Sequence, residues 1–185
     1  MRWPDQPAVG LSRAQLLIVN ADDFGMCNSV NEAVIGAWPA GILRSTTLMV
    51  PCPWALHAIH FLKEHPEVRF GVHLTAISEW VDYRWGPLTP REQVPSLVNE
   101  AGHFYNFEQM PHFLAQVNLA ELEREFRAQI ETVLVAGLKP THLDWHCLRL
   151  SGWTFACWAR RPAGGGFRAT PIAAIDRDFH IARRF

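Results

Sequence analysis

The stretch LLIVNADDFGMC, residues 16–27, decides how the chain is interpreted. Four apolar residues lead directly into Asn-Ala-Asp-Asp-Phe-Gly, so a strand-like run ends on two adjacent carboxylates. Short, continuous apolar runs of this kind are typical of strands that are buried on both faces of a parallel sheet. Adjacent carboxylates repel each other and lose hydration when they are buried, so a nearby cation would relieve both costs.

Strand and helix patterns alternate along the following part of the chain. Apolar or β-branched runs of strand length lie at residues 15–20, 45–51 and 68–75, and a further one opens at residue 139. Helical spacing of apolar residues marks three segments, which are 28–38, 54–66 and 119–137. Alternation of this kind predicts an α/β fold with a parallel sheet.

Two of the predicted helices carry end signals. At the first, Asn28 or Ser29 is suited to be the N-cap, and Glu32 stands at the capping-box offset from Ser29. The helix over residues 119–137 has apolar side chains at i, i+3 and i+4 spacing, and Gly137 is a natural C′ residue. These signals set the expected ends of the two helices.

The overall composition is ordinary for a globular domain. The chain has 185 residues, of which 49% are hydrophobic and 19% charged, enough for one domain with a sizeable core. A formal net charge of -1 provides no field that would attract nucleic acid or an anionic membrane. No apolar run approaches the ~20 residues of a membrane span, and the first residues lack the apolar stretch of a signal peptide. A cytoplasmic protein without nucleic-acid or membrane partners is therefore expected.

Three groups of polar residues follow predicted strands at their carboxyl ends, where ligands collect in α/β folds. They are Asp22 with Asp23, His73 in GVHL, and His142, Asp144 and His146 in THLDWH. Each group alone also has a plain interpretation, as a helix cap, a hydrogen-bonded core histidine or a polar strand end. Together, one aspartate and two histidines around a divalent cation would leave positions open for water and substrate. Such a donor set is typical of metal-assisted hydrolysis.

The spacing within these groups suggests how the side chains are directed. In an extended segment, neighbouring side chains point to opposite sides, so one of the two carboxylates would bind a metal while the other stays free to accept a proton. In an extended THLDWH, the three polar residues share one face at a spacing of two. Gly71, two residues before His73, would allow a ligand or another backbone to approach closely.

Residues 76–112 differ from the rest of the chain. This segment is rich in proline, glycine and aromatic residues and has no sustained period. Long irregular segments inside a compact domain are usually functional lids or insertions. Trp80, Tyr83 and Trp85 in this segment offer flat apolar faces that could contact a ligand, although packing within the loop is an equally good interpretation of these aromatics.

Four motifs identify a resemblance. In order along the chain, LLIVNADDFG, GILRSTTLMV, GVHL and KPTHLDWH closely resemble the YdjC-like family of carbohydrate deacetylases, which includes chito-oligosaccharide and hopanoid-associated deacetylases. The resemblance covers about residues 15–146. It implies an incomplete (β/α) barrel of the polysaccharide-deacetylase type and one divalent metal ion, Mg²⁺ or Zn²⁺. The implied reaction is the hydrolysis of an N-acetyl group on an amino sugar or oligosaccharide.

The resemblance also implies roles for individual residues. By position, Asp23, His73 and His146 match the metal ligands, and Asp22 matches the general base that takes a proton from the attacking water. His142 would sit beside the site, and it is grouped with Asp144 as a candidate for substrate binding. The aromatic candidates for the same role are those of the irregular segment, Trp80, Tyr83 and Trp85.

Residues 147–185 depart from the family pattern. They contain seven arginines, no lysine and two aspartates, and they show no strand–helix alternation. Either this tail is out of frame, or the protein is a genuinely short variant. The sequence thus divides into a flexible lead at 1–14, a barrel portion at 15–146 and an atypical tail.

A barrel that stops at about residue 146 would fall well short of the ~250 residues of a full one. An unfinished sheet exposes an edge strand and apolar surface, which favours pairing with a second copy of the chain. The alternative to an active deacetylase is therefore an inactive remnant that at most binds sugar or metal.

Overall fold

The computed structural model describes residues 17–147, so the predicted lead at 1–14 and the part of the tail after Cys147 lie outside the described residues. Four strands and four α-helices make up this part of the chain. In chain order they are β1 (Asn20–Phe24), α1 (Asn28–Ala37), β2 (Ser45–Leu48), α2 (Ala55–Glu64), β3 (Phe70–Leu74), α3 (Met110–Gln116), α4 (Leu119–Val135) and β4 (His142–Trp145). None of the helices within residues 17–147 combines the length and the apolar character needed to cross a bilayer.

The four strands form one parallel sheet in the order β1-β2-β3-β4. Ala21 lies opposite Thr46, Thr47 opposite Gly71, and His73 opposite Asp144. Because all strands run the same way, their carboxyl ends meet at one edge of the sheet. The predicted α/β fold with a parallel sheet is confirmed, and this edge gathers the polar motifs of the sequence.

The first strand begins later than the apolar run predicts. Pairing with β2 starts at Asn20 opposite Ser45, whereas Leu17 and Ile18 are outside the strand and 62% and 51% exposed. The prediction of a buried strand at 15–20 was therefore wrong for residues 17–19, and only Asn20 of the predicted run lies in β1. An apolar run marks the neighbourhood of a strand, but the position of the partner strand decides where the ladder begins.

The structure contradicts the predicted start of α1 and confirms the predicted end of α4. The N-cap of α1 is Cys27, whose side chain makes no capping bond, so the predicted capping box of Ser29 was wrong. The Ser29 hydroxyl instead lies 3.2 Å from the Cys27 Sγ atom. At the other predicted helix, Gly137 has a φ of 82° just after α4, which confirms the predicted C′ glycine.

Residues 76–112, expected to be a lid or an insertion, contact α4 through their middle part. Leu97 and Phe104 are buried, and short 3₁₀ turns cover Arg91–Gln93 and Pro95–Leu97. The buried Glu125 carboxylate accepts hydrogen bonds from the backbone amides of Leu88 (3.1 Å) and Thr89 (2.9 Å). This segment therefore has a defined place beside the sheet.

Candidate metal centre

The chain is bent where the two neighbouring carboxylates lie. The pairing of β1 with β2 shifts register between Ala21 and Phe24, and Asp23 has a φ of 66°. Residues other than glycine seldom adopt this left-handed backbone conformation, and bulges re-aim side chains. The expectation that the Asp22–Asp23 pair is extended was wrong at Asp23, since its left-handed backbone at the register shift sets the direction of its side chain.

Asp23 meets two histidines at the carboxyl edge of the sheet. Its Oδ1 atom lies 3.3 Å from Nε2 of His73 and 3.0 Å from Nδ1 of His146. The two imidazole rings contact each other edge-on, with centroids 5.2 Å apart. The structure thus brings together one residue from β1, one from β3 and one that follows β4, all three of which the sequence singled out.

The three side chains fit a divalent cation. Metal–ligand bonds of about 2.1 Å place neighbouring ligand atoms roughly 3.0–3.4 Å apart, which matches the separations around the Asp23 oxygen. Imidazole nitrogen is a good ligand for Zn²⁺ and related ions, whereas Mg²⁺ prefers oxygen. Two further clusters with candidate ligand atoms within 4.8 Å share these histidines, namely Glu79–His146–Cys147 and Asp22–His73–Asp144.

Charge is concentrated in this centre. Burial alone would lower the pKa of His73, but hydrogen bonds to Asp144 and Asp23 outweigh it and raise the pKa to about 9. Burial likewise opposes charge on His146, yet its contacts with Asp23, Cys147 and Glu79 raise its pKa to about 12. Burial would raise the pKa of Asp23, but the two imidazoles hold it below its usual range. Without a cation, the positive charges of the two protonated rings are offset by the carboxylates of Asp23, Asp144 and Glu79.

Each histidine also has a carboxylate behind it. Nδ1 of His73 lies 2.7 Å from Oδ1 of Asp144, and Nε2 of His146 lies 2.5 Å from Oε2 of Glu79. Sequence reasoning found Asp144 but missed Glu79. The available signal was the position of Glu79 shortly after β3, at the same edge of the sheet.

Asp22 lies beside this centre and is exposed. Its Oδ1 atom accepts hydrogen bonds from Nδ2 of Asn20 at 2.6 Å and from the Thr47 hydroxyl at 3.2 Å. One Asp22 oxygen is within 4.8 Å of both a ring nitrogen of His73 and a carboxylate oxygen of Asp144. The carboxylate is thus held close to the cluster while it remains open to solvent.

His142 lies directly over Gly71 of the neighbouring strand. A Cβ atom added at that glycine would come 2.6 Å from Cδ2 and Nε2 of the imidazole. The close approach that the glycine predicted is therefore made by a side chain, not by a ligand or another backbone. Burial lowers the pKa of His142, so this imidazole is neutral at pH 7.

An apolar cleft opens close to the Asp pair, because Met26 in its lining donates its backbone amide to the Asp23 carbonyl at 3.0 Å. It has a volume of about 270 Å³ and is lined by Met26, Cys27, Trp80 and Tyr83. The Tyr83 hydroxyl donates to the carbonyl of Met26 at 2.6 Å, and Trp80 is 56% exposed. Trp85 lines no part of this cleft: it is 3% exposed and its ring packs edge-on to that of His146. A larger groove of about 500 Å³, against α4, contains none of the cluster residues.

Comparisons of the sequence give a consistent result. Residues 16–151 match the family described as YdjC-like protein. The chain is 39% identical over 131 residues to a carbohydrate deacetylase of Enterococcus faecalis, covering 70% of this chain and 47% of that protein. It is 37% identical over 134 residues to a chitooligosaccharide deacetylase of Yersinia enterocolitica, covering 71% of this chain and 49% of that protein. The chain thus spans about half the length of the curated relatives it matches.

A solved structure shows the same likeness. A crystal structure from Enterococcus faecalis, named "putative cellobiose-phosphate cleavage protein", superposes with a TM-score of 0.68 at 35% sequence identity. The match covers 77% of this chain and 53% of that one. The described sheet and helices therefore have a counterpart of the same fold over about half of a longer protein.

Proposed function

The chain belongs to the YdjC-like protein family, and from that premise we propose that it acts in the metal-dependent removal of an N-acetyl group from an amino sugar or oligosaccharide. The observation that carries the proposal is the single Asp23 oxygen within 3.3 Å of a nitrogen on each of two histidines, with Asp22 beside it. The relatives named carbohydrate deacetylases supply the substrate class.

In the proposed reaction, different side chains of the centre bind the cation and accept the proton. A bound Zn²⁺ or Mg²⁺ would supply the positive charge that polarises the acetyl carbonyl and stabilises the developing oxyanion. Asp23, His73 and His146 would hold the cation, and their two imidazoles favour Zn²⁺ over Mg²⁺. Asp22, oriented by Asn20, would take a proton from the attacking water. Its exposure leaves room for that water.

The apolar cleft supports a role in sugar binding. Trp80 and Tyr83 line it next to the Asp pair, and aromatic faces suit the apolar face of a pyranose ring. His142 and Asp144, which lie on β4, are proposed to contact the substrate as well. Trp85 is buried and contacts the ring of His146, so we expect it to affect substrate binding through the position of that ring.

We also propose that residues 15–146 form part of a (β/α) barrel. A sheet whose parallel strands follow chain order without reversal is the arrangement found in such barrels, whereas doubly wound sheets reverse their order at a switch point. The superposition on about half of a longer relative supports this architecture.

Acetate release from chito-oligosaccharides tests the reaction. With the purified protein and added Zn²⁺ or Mg²⁺, we expect release that a chelator abolishes. Asp22→Asn should reduce the rate by about 10²–10⁴-fold while cation binding is kept, because it removes the base and no ligand. Glu100→Gln, which neutralises an exposed carboxylate in the irregular segment, is the matched control and should release acetate like the wild type.

Two results would contradict the proposal. Release that persists in Asp22→Asn or in the presence of chelator would remove the assigned roles. A folded, cation-loaded protein that releases no acetate would favour the alternative, a protein of this family that binds metal or sugar without catalysis.

A further inference from the structure

Glu79 is a partly buried carboxylate that the roles assigned above leave unexplained. It lies in the irregular segment after β3, its side chain is 12% exposed, and its Oε2 atom is 2.5 Å from Nε2 of His146. A carboxylate is seldom buried in this way without a specific partner, since the loss of hydration is costly. Its partner here is the ring of a proposed metal ligand.

The two nitrogens of His146 face different carboxylates. Nδ1 points to Asp23 and Nε2 points to Glu79. An imidazole that binds a cation offers the lone pair of one nitrogen and keeps a proton on the other. With Glu79 accepting the proton of Nε2, the lone pair of Nδ1 is left for the cation.

His73 has the opposite arrangement. Its Nε2 faces Asp23, and its Nδ1 lies 2.7 Å from Asp144. The two rings therefore present different nitrogens to one centre and must hold different tautomers when a cation is bound. A carboxylate behind each ring selects the required tautomer: Asp144 for His73 and Glu79 for His146.

We propose that Glu79 is a positioning residue that fixes the ring orientation and the tautomer of His146 for cation binding. This inference rests on the metal site of the proposed function but not on its deacetylation step. It also gives the irregular segment a part in the centre, because Glu79 directly precedes Trp80 of the apolar cleft.

Calorimetric titration with Zn²⁺ tests this role without any substrate. We expect Glu79→Ala to weaken Zn²⁺ binding by about 10–100-fold, the usual effect of losing such an outer partner. Glu79→Gln should recover most of the affinity, because its amide oxygen still accepts the proton of Nε2. Glu108→Ala, at an exposed position of the same segment, is the matched control and should bind like the wild type.

Nitrogen NMR of the Zn²⁺-loaded protein provides a second readout. The wild type and Glu79→Gln should show a proton on Nε2 of His146 and none on Nδ1. This measurement keeps the inference testable if Glu79→Ala does not fold.

Three results would overturn the inference, and they can be told apart from failure of the reaction. Wild-type affinity in Glu79→Ala would show that the carboxylate does not support His146. Equal weakening in the Gln and Ala variants would make Glu79 a direct ligand, and a wild type that binds no Zn²⁺ would remove the site itself. If the wild type and the Glu79 variants bind Zn²⁺ with the expected affinities but the protein releases no acetate, only the deacetylase proposal is overturned.

Discussion

Asp23 is the residue on which the cluster converges, because one of its carboxylate oxygens contacts both histidine rings. Its left-handed backbone, with a φ of 66°, costs of order 1–3 kcal/mol and persists only where the surroundings fix it. The surroundings here are the fully buried Phe24 and the amide of Gly25, which donates to Oδ1 of Asn31 at 2.7 Å. The backbone is therefore held in the conformation that aims the carboxylate at the rings.

Cation affinity should rise with pH. The pKa values of His73 and His146 are raised to about 9 and about 12, so both rings carry an extra proton in the cation-free protein at neutral pH. Each ring must release one proton to bind, so the log of the affinity should increase by about 2 per pH unit until pH 9. Above that pH, His73 is already neutral and the slope should fall to about 1.

Calorimetry in two buffers with different ionisation enthalpies measures this proton release. About two protons per Zn²⁺ are expected at pH 7. A flat or falling affinity between about pH 6 and pH 8 would contradict the charge state assigned to the two rings.

The grouping of the three candidate ligands was predictable because each motif coincides with a strand end, while their roles as ligands stay a prediction. Asp23, His73 and His146 each lie at or just after a strand of the parallel sheet, so local patterns were enough to group them. Glu79 lies in a segment without any period, and only its packing against the sheet brings it to His146. Its position shortly after β3 places Glu79 at the right edge of the sheet, but no local pattern shows that its side chain reaches His146.

At the scale of elements, the strands and three of the four α-helices were predictable, whereas α3, which begins inside the segment interpreted as irregular, was missed and several ends were wrong. The apolar run before Asn20 predicted β1 too early, because the ladder begins only where Ser45 of β2 lies opposite. The end of α4 was predictable because Gly137 supplies the left-handed conformation that the helix end requires. Signals of backbone conformation therefore located ends better than apolar runs did.

The packing of β4 on β3 depends on a glycine. In Gly71→Ala, the new Cβ atom would come 2.6 Å from the ring of His142, so that ring must move. We expect a loss of about 1–3 kcal/mol in the free energy of unfolding, the usual cost of overpacking. Removing the ring in Gly71→Ala/His142→Ala should make the glycine substitution less costly than it is in the wild type.

Chemical denaturation of these variants measures the coupling. Gly36→Ala is the matched control, because this helical glycine has no atom within 4 Å of an added Cβ, and it should stabilise the protein by about 0.5–1 kcal/mol. An equal loss for Gly71→Ala with and without the His142 ring would show that another contact limits the space.

At the scale of the whole molecule, the described sheet has two outer edges. Within residues 17–147, β1 pairs only with β2, and β4 pairs only with β3. The exposed Leu17 and Ile18 precede the first of these edges. Pairing with a second copy stays a prediction, as do the cytoplasmic location and the activity of a chain that spans about half of its relatives.

The three proposed ligands of the centre all lie in the described part of the chain, on β1, on β3 and just after β4. Anomalous diffraction from Zn²⁺-loaded crystals tests it most directly. The predicted result is one peak about 2.0–2.2 Å from Oδ1 of Asp23, Nε2 of His73 and Nδ1 of His146. An absent peak, or a peak bound by Glu79 and Cys147 instead, would contradict the proposed metal centre.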